Sequence, residues 1–377
     1  MRLPPAALSL DKVTPPVVLL PRVMESSPIG HAGGAASPRA FLEGVRAKVD
    51  ARLRDTLDAA RAFTEAAAPA TLPMLDAARD LTLRGGKRLR PAMLFAAVEC
   101  VEPAAHPEAA TDLGVALELL QTYLLVHDDW MDDDPVRRGA PSVHVALARV
   151  YGEPHLGACT AILAGDLMGA LVHRIVADLD LPTARRRAVN AVFAEMEHEV
   201  ILGQCLDVTR SPDVARIHTL KTGSYTVRGP LLLGASVAGA SEAQRRALAA
   251  YAEPLGLAFQ LRDDVLGVFG SAAETGKPVG NDLREGKQTA LVQHALGNLD
   301  DAGRDGLRAV LGRRDASEDE VLHARELIAR SGAREAVERE IASLRAACLD
   351  ALRGASLLPR GVELLTALAS MLTERSR

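Results

Sequence analysis

Residues 111–131 read Thr-Asp-Leu-Gly-Val-Ala-Leu-Glu-Leu-Leu-Gln-Thr-Tyr-Leu-Leu-Val-His-Asp-Asp-Trp-Met, and Asp132, Asp133 and Asp134 follow at once. Leu113, Val115, Leu117, Leu119, Leu120, Leu124 and Val126 leave no continuous polar face. Such a stretch predicts a helix apolar nearly all round, which belongs in a protein centre. It ends in five aspartates. In a helix Asp128 and Asp132 stand one turn apart on one face, and Asp129 points to the adjacent face. Carboxylates this close repel one another strongly where the dielectric is low. Hard divalent cations relieve that repulsion, and Mg²⁺ prefers a few carboxylates plus waters and substrate phosphates. A solvated acidic helix end is the plainer alternative. Arg137-Arg138-Gly139 follows directly, and acid beside base at the mouth of an apolar channel favours metal plus diphosphate. The Gly and Glu positions of a calcium-binding EF-hand loop are missing.

The rest of the chain is helical in texture from Pro38 onward, rich in Ala, Leu, Arg and Glu, all strong helix formers. Aromatic residues are 3% of the total, and alternating Val, Ile or Thr runs are missing, which argues against a sheet. Further long helices are predicted over Phe41–Ala67, Arg185–Val208, Ala243–Val268 and Glu318–Leu352, the last with a capped start at Asp315-Ala-Ser-Glu-Asp. Breaks are expected at Arg84-Gly85-Gly86, Asp134-Pro135, Leu181-Pro182, Gly229-Pro230 and Gly276–Gly286. The fold class is therefore all-α. One domain over residues 39–377 is the simplest organisation, and a division near Leu181-Pro182 is the alternative. Residues 1–38 are dominated by Pro, Gly and Ser without periodicity, as in a disordered leader.

With 377 residues, 48% hydrophobic and 25% charged, the chain can bury a large core without staples. A net charge of −5 gives no basic excess for nucleic acid. Cys100, Cys159, Cys205 and Cys348 lack zinc or redox spacing and read as reduced apolar fillers of a cytoplasmic protein. No uninterrupted apolar run reaches bilayer length.

A second acidic pair answers the first. Phe259-Gln-Leu-Arg-Asp-Asp-Val-Leu-Gly267 again runs from apolar helix into paired aspartates. Gln260 and Asp264 lie one turn apart, with Asp263 beside them. Gly276-Lys277-Pro-Val-Gly-Asn-Asp282 and Gly286-Lys287 follow, a glycine-rich basic loop with an acid in it. Two such helix ends, each trailed by cations, predict facing walls of one cavity bridged by metal ions through a diphosphate. Arg84-Gly-Gly-Lys87-Arg88-Leu-Arg90-Pro91 adds four cations around a turn that opens a helix, a good anion site or a solvated basic turn. Lys221-Thr222 is uninformative alone.

Together these residues resemble the trans-isoprenyl diphosphate synthases, the polyprenyl synthetase family. The matching elements are Gly85–Pro91, Asp128–Asp132 with Arg137–Gly139 and Pro141–His144, Gly165-Asp166, Gly203-Gln204 with Asp207, Lys221-Thr222, Phe259-Gln260 with Asp263-Asp264, and Gly276-Lys277 to Lys287. They keep the family's order over roughly residues 38–291. The resemblance implies an isoprenoid synthase helical bundle, usually a homodimer. Asp128, Asp129 and Asp132 would bind Mg²⁺ in a first motif and Asp263 and Asp264 in a second, with three ions in all. Arg137, Lys221 and Lys277 would hold the allylic diphosphate, and Lys287 would close over it. Lys87, Arg90 and Arg138, with Gln121, would hold isopentenyl diphosphate. Thr222 and Gln260 would line the reacting carbons. Tyr123, with Leu124 beside it and Leu120 a turn deeper, would floor the channel and set product length. A single aromatic floor resembles geranylgeranyl-type synthases, with farnesyl-type output next. The chain departs from the pattern at Gln121, often histidine, and at Gly267, where the second motif usually ends in Asp. A class I terpene cyclase and a non-catalytic partner of another prenyl synthase are the competing readings.

Overall fold

The computed structural model describes residues 37–270 and 280–374. Residues 1–36 of the leader expected over residues 1–38, and the Lys277 assignment, lie outside the described residues. Ser37 accepts a hydrogen bond from the Ala40 amide, and Pro38 opens α1 (Pro38–Ala67), since its fixed φ and missing N–H suit a first turn. Regular structure thus already begins at Pro38, inside the expected leader. Then come α2 (Leu72–Leu83) and α3 (Leu89–Val101), which leads to the predicted central helix, α4 (Pro107–Met131). Leu113, Leu117, Leu119 and Leu120 of α4 are wholly buried. The only strands among the described residues, β1 (Val136–Arg137) and β2 (Ala140–Pro141), form a short antiparallel ribbon after it. The ribbon turns the chain back and sets Arg137 and Arg138 beside the acidic end of α4.

Next are α5 (Val143–Tyr151), α6 (Pro154–Ala177), α7 (Thr183–Val208) and α8 (Val214–Ile217). A π-helical segment, His218–Arg228, then runs without interruption into α9 (Gly229–Ala238). The break expected at Gly229-Pro230 is therefore corrected. Proline falls in the first turn of α9, where its missing N–H costs little. α10 (Glu242–Phe269) starts from a full capping box made by Ser241 and Gln244.

Beyond the second acidic pair lie α11 (Asn281–Glu285), α12 (Ala290–Asn298), α13 (Asp301–Arg308), α14 (Glu318–Arg330), α15 (Ala333–Ala351) and α16 (Pro359–Thr373). The capped start predicted for α14 is present as a Ser317–Glu320 capping box. The single helix predicted over Glu318–Leu352 is two, because Gly332 turns left-handed at φ 74° and ends the first.

Three apolar clusters hold the molecule together. One surrounds α4 between α1, α2, α6 and α7. A second joins α3, α9, α10 and α16, and a third joins α10 to α12, α14 and α15. α4 and α6 are each long and apolar enough to cross a membrane by length and composition, which qualifies the reading that no run reaches that length. Glu118 and Asp166 interrupt them. The most apolar window of α4 is 72% buried and that of α6 only 33%.

Candidate active site

The two acidic helix ends face one cleft. Its volume is about 250 Å³, and Asp132 from the first end lines it together with Asp264 from the second. Lys221, Thr222, Gln260 and Lys287 line it too. At the first wall, Asp128 Oδ1 accepts hydrogen bonds from Lys221 Nζ at 3.0 Å and from Gln204 Nε2 at 3.1 Å. Lys221 also donates to Asp207 Oδ2 at 2.5 Å. The π-helical segment carries Lys221 and Thr222 to this point, as such wide turns often do at functional sites. It packs directly on α7: a Cβ at Gly203 would lie 2.3 Å from the Lys221 amide nitrogen, so only glycine permits this approach.

At the second wall, Gln260 Nε2 donates to Asp264 Oδ1 at 3.0 Å. Asp264 is 4% exposed, and its Oδ2 has no hydrogen-bond partner. His218 Nε2 is 3.6 Å from that oxygen. A buried carboxylate oxygen without a donor calls for a cation or a proton.

The charged groups of the two walls act strongly on one another. Burial would raise Asp128, but Lys221, Lys287 and Arg137 outweigh it and hold the carboxyl at about 2. Burial, with Asp128 beside it, lifts Asp132 to about 6. Burial lifts Asp264 to about 7, and Asp282 and Asp263 add to the effect. Burial disfavours charge on Lys221 and Lys287, yet the surrounding carboxylates raise both. Asp128 and Asp132 act on Lys287 from one wall, and Asp282 and Glu285 from the other. Among the described residues, no three carboxylate, imidazole or thiolate groups converge as a ready-made cage.

A second, apolar cleft of about 400 Å³ adjoins the first, and Lys221, Met131 and Val208 line both. Tyr123 and Leu124 form one side of it, with Val200 and Ile201 of α7 opposite and Tyr225 at the edge. The Tyr123 ring stands edge-on to His127, with centroids 4.8 Å apart. Leu120, expected one turn deeper in the channel, is wholly buried in the core and lines neither cleft.

Asp129 is 0% exposed and accepts from Arg137 Nε at 2.6 Å. These two, expected at a metal and at the allylic diphosphate, pair with each other in the chain without ligands. The helical turn that aims Asp128 at the cleft rotates Asp129 inward by about 100°. Asp263 is half-buried and lines neither cleft, though it acts on Asp264.

Of the basic turn, Arg88 is buried against Asp50 and Glu118, and Arg84 is tied to Asp80 and to the carbonyls of Arg137 and Pro141. Arg138 donates to the Gly85 carbonyl at 2.6 Å. Burial and the neighbouring Arg88, Arg90 and Arg137 charges lower its pKa, against the pull of Glu118. Arg90 lies over the Tyr225 ring at 4.4 Å and donates to Thr226. Lys87 is exposed and Gln121 half-buried. Of Lys87, Arg90, Gln121 and Arg138, Arg90 borders the apolar cleft through Tyr225, and none of the four lines either cleft.

The sequence profile described as polyprenyl synthetase matches residues 73–328. A short chain isoprenyl diphosphate synthase of Methanocaldococcus jannaschii is 35% identical over 261 residues, 68% of this chain and 76% of that one. A geranylfarnesyl diphosphate synthase of Aeropyrum pernix is 37% identical, covering 68% and 80%. The crystal structure of a geranylgeranyl pyrophosphate synthase from Corynebacterium glutamicum, complexed with isoprenyl diphosphate and magnesium, superposes with TM-score 0.82 at 35% identity, covering 90% of this chain and all of that one. The chain belongs to the polyprenyl synthetase family.

For a polyprenyl synthetase chain, several residues of this cleft carried no assigned role in the sequence. Gln204 and Asp207 sit in a stretch the family resemblance already covers. His218, one turn before Lys221, shows no local pattern. Arg314, between α13 and α14, bonds Asp133 Oδ2 at 2.6 Å and the Asp132 carbonyl at 2.8 Å, a contact across 181 residues that no local signal announces.

The raised carboxyls give a pH signature. Asp129, Asp132 and Asp264 stand at about 6, 6 and 7 in the folded chain, above the usual value of about 4. The folded state therefore holds more protons than the unfolded one between those limits, so stability rises as pH falls. The metal-free protein is expected to melt higher at about pH 6.5 than at about pH 8; His218, which burial lowers to about 4 from an ordinary value of about 6.5, opposes the trend in this window, but one imidazole is outweighed by the three raised carboxyls. Scanning calorimetry in chelator checks this, and a lower melting temperature at pH 6.5 would contradict it.

Proposed function

We propose that this chain condenses isopentenyl diphosphate with an allylic diphosphate in a Mg²⁺-dependent reaction. The expected main product is geranylgeranyl diphosphate, with farnesyl diphosphate next. One observation carries the reading: a charged cleft and an apolar cleft meet at Lys221. That shape fits a substrate with a diphosphate head and a hydrocarbon tail. Bound Mg²⁺, with three ions as in the resemblance, supplies positive charge to the departing diphosphate. Lys221 and Lys287 hold the same group from the two walls. Charge placed in advance where charge develops is usually the largest catalytic contribution. Thr222 and Gln260 turn oxygen dipoles toward the allylic cation as the carbon–oxygen bond breaks. The double bond of isopentenyl diphosphate attacks that cation, and the released diphosphate takes the proton. Lys87, Arg90, Gln121 and Arg138 hold the isopentenyl diphosphate.

The proposal covers one catalytic domain over residues 39–377, acting as a homodimer. Leu156 and Leu163 of α6 are 43% and 55% exposed, on a helix that buries little of its apolar surface, and a second copy would cover them. Incubating the pure protein with Mg²⁺, isopentenyl diphosphate and dimethylallyl diphosphate tests the activity, with products read by mass spectrometry. Longer prenyl diphosphates are expected. No elongation, or hydrocarbon formed from the allylic substrate alone, would sink the reading, the latter in favour of a cyclase.

A further inference from the structure

Gly267 lies three residues after Asp264, on the same face of α10, where the family pattern has a third carboxylate. Its space is not empty. A Cβ at Gly267 would lie 1.9 Å from Asp282 Oδ2 and 2.6 Å from Asp282 Cγ. A carboxylate from α11 therefore occupies the volume that a side chain at position 267 would fill. Within the same turn, the Lys287 amide bonds the Asp282 carbonyl at 3.0 Å. Lys287 Nζ lies 3.9 Å from Asp282 Oδ1 and 2.9 Å from Glu285 Oε2. Independently, the 4% exposed Asp264 carries an oxygen without a donor.

We infer that Asp282 supplies the third carboxylate of the second acidic group, from a different element than the one that lost it. The inference rests on the diphosphate–metal reading above. It removes the one feature that favoured a non-catalytic partner. It also ties cation binding to the docking of residues 280–287, since Asp282 and Lys287 arrive on the same turn.

The test uses the full chain, inorganic diphosphate and Mn²⁺, with free Mn²⁺ read by electron paramagnetic resonance. D282N, which keeps the side-chain shape, is expected to weaken Mn²⁺ uptake by about tenfold or more. G267D alone is expected to weaken it too, because two carboxylates then compete for one volume. G267D/D282A moves the carboxylate back to α10 and is expected to recover to within about threefold of the unaltered chain. Unchanged affinity in D282N overturns the inference, as does a double variant no better than G267D. If the unaltered chain takes up no Mn²⁺ with diphosphate, the diphosphate–metal reading itself falls, which separates the two failures.

Discussion

Asp128→Ala is expected to slow condensation by about 10²–10³-fold at saturating Mg²⁺, while the melting temperature changes little. Asp129→Ala, one residue on, is expected to destabilise the fold first. The difference follows from where the helix aims each carboxylate. Asp128 is 21% exposed and lines the apolar cleft where it adjoins the charged one, and Lys221 and Gln204 bond it there. On the proposed reading, its removal takes away an oxygen pair that would bind a cation beside the diphosphate. Lys221 keeps Asp207 as a partner, so no buried ammonium is stranded. Asp129 is 0% exposed, and its partner Arg137 is 18% exposed. Truncating one member of a buried pair leaves an uncompensated charge and costs about 3–5 kcal/mol. Arg137 retains Asp134 at 3.3 Å, which puts the loss at the lower end. Initial rates against Mg²⁺ concentration and urea unfolding separate the two effects. Near-normal condensation by Asp128→Ala would refute the metal role of this wall. Unaltered stability in Asp129→Ala would refute the structural role of the Asp129–Arg137 pair.

That contrast marks how far the sequence reaches. Helical periodicity placed α4 and its acidic end correctly because an all-round apolar stretch has few other stable environments. It also put Asp128 and Asp129 on different faces. Which face meets the cleft depends on α7 and the π-helical segment, and local pattern says nothing of their position. Gly229-Pro230 looked like a break because both residues are poor inside helices, yet the wide helix before it lets the chain continue. Gly332 misled in the opposite direction. One glycine costs only about 1 kcal/mol in a long run of strong helix formers, too little to announce a break. Asp282 was visible as an acid in a glycine-rich loop, but its relation to Gly267 exists only in space.

Tyr123→Ala is expected to shift the product toward longer prenyl diphosphates, with a smaller effect on the first condensation. Tyr123 lies five residues before Asp128, about 7.5 Å along the helix at ~1.5 Å per residue. It lines the apolar cleft that begins where the charged cleft ends. On the proposed reading, a chain anchored by its diphosphate near Lys221 and growing away from it would meet this ring. Behind the ring is Gly169 of α6, whose Cβ position lies 3.9 Å from the Tyr123 ring. Truncation therefore opens space toward a helix with no side chain there to refill it. The phenol is only partly buried, so the cavity cost falls below the roughly 3–5 kcal/mol of a fully buried aromatic, and the variant is expected to fold. Leu120 is sealed in the core and lines neither of these two clefts, so Leu120→Ala is expected to cost stability without lengthening the product, which makes it the control. Product chains from both variants, resolved by mass spectrometry against the unaltered protein, decide the matter. An unchanged distribution in Tyr123→Ala would remove the ring from the channel floor and shift attention to Val200 and Ile201 on the opposite wall.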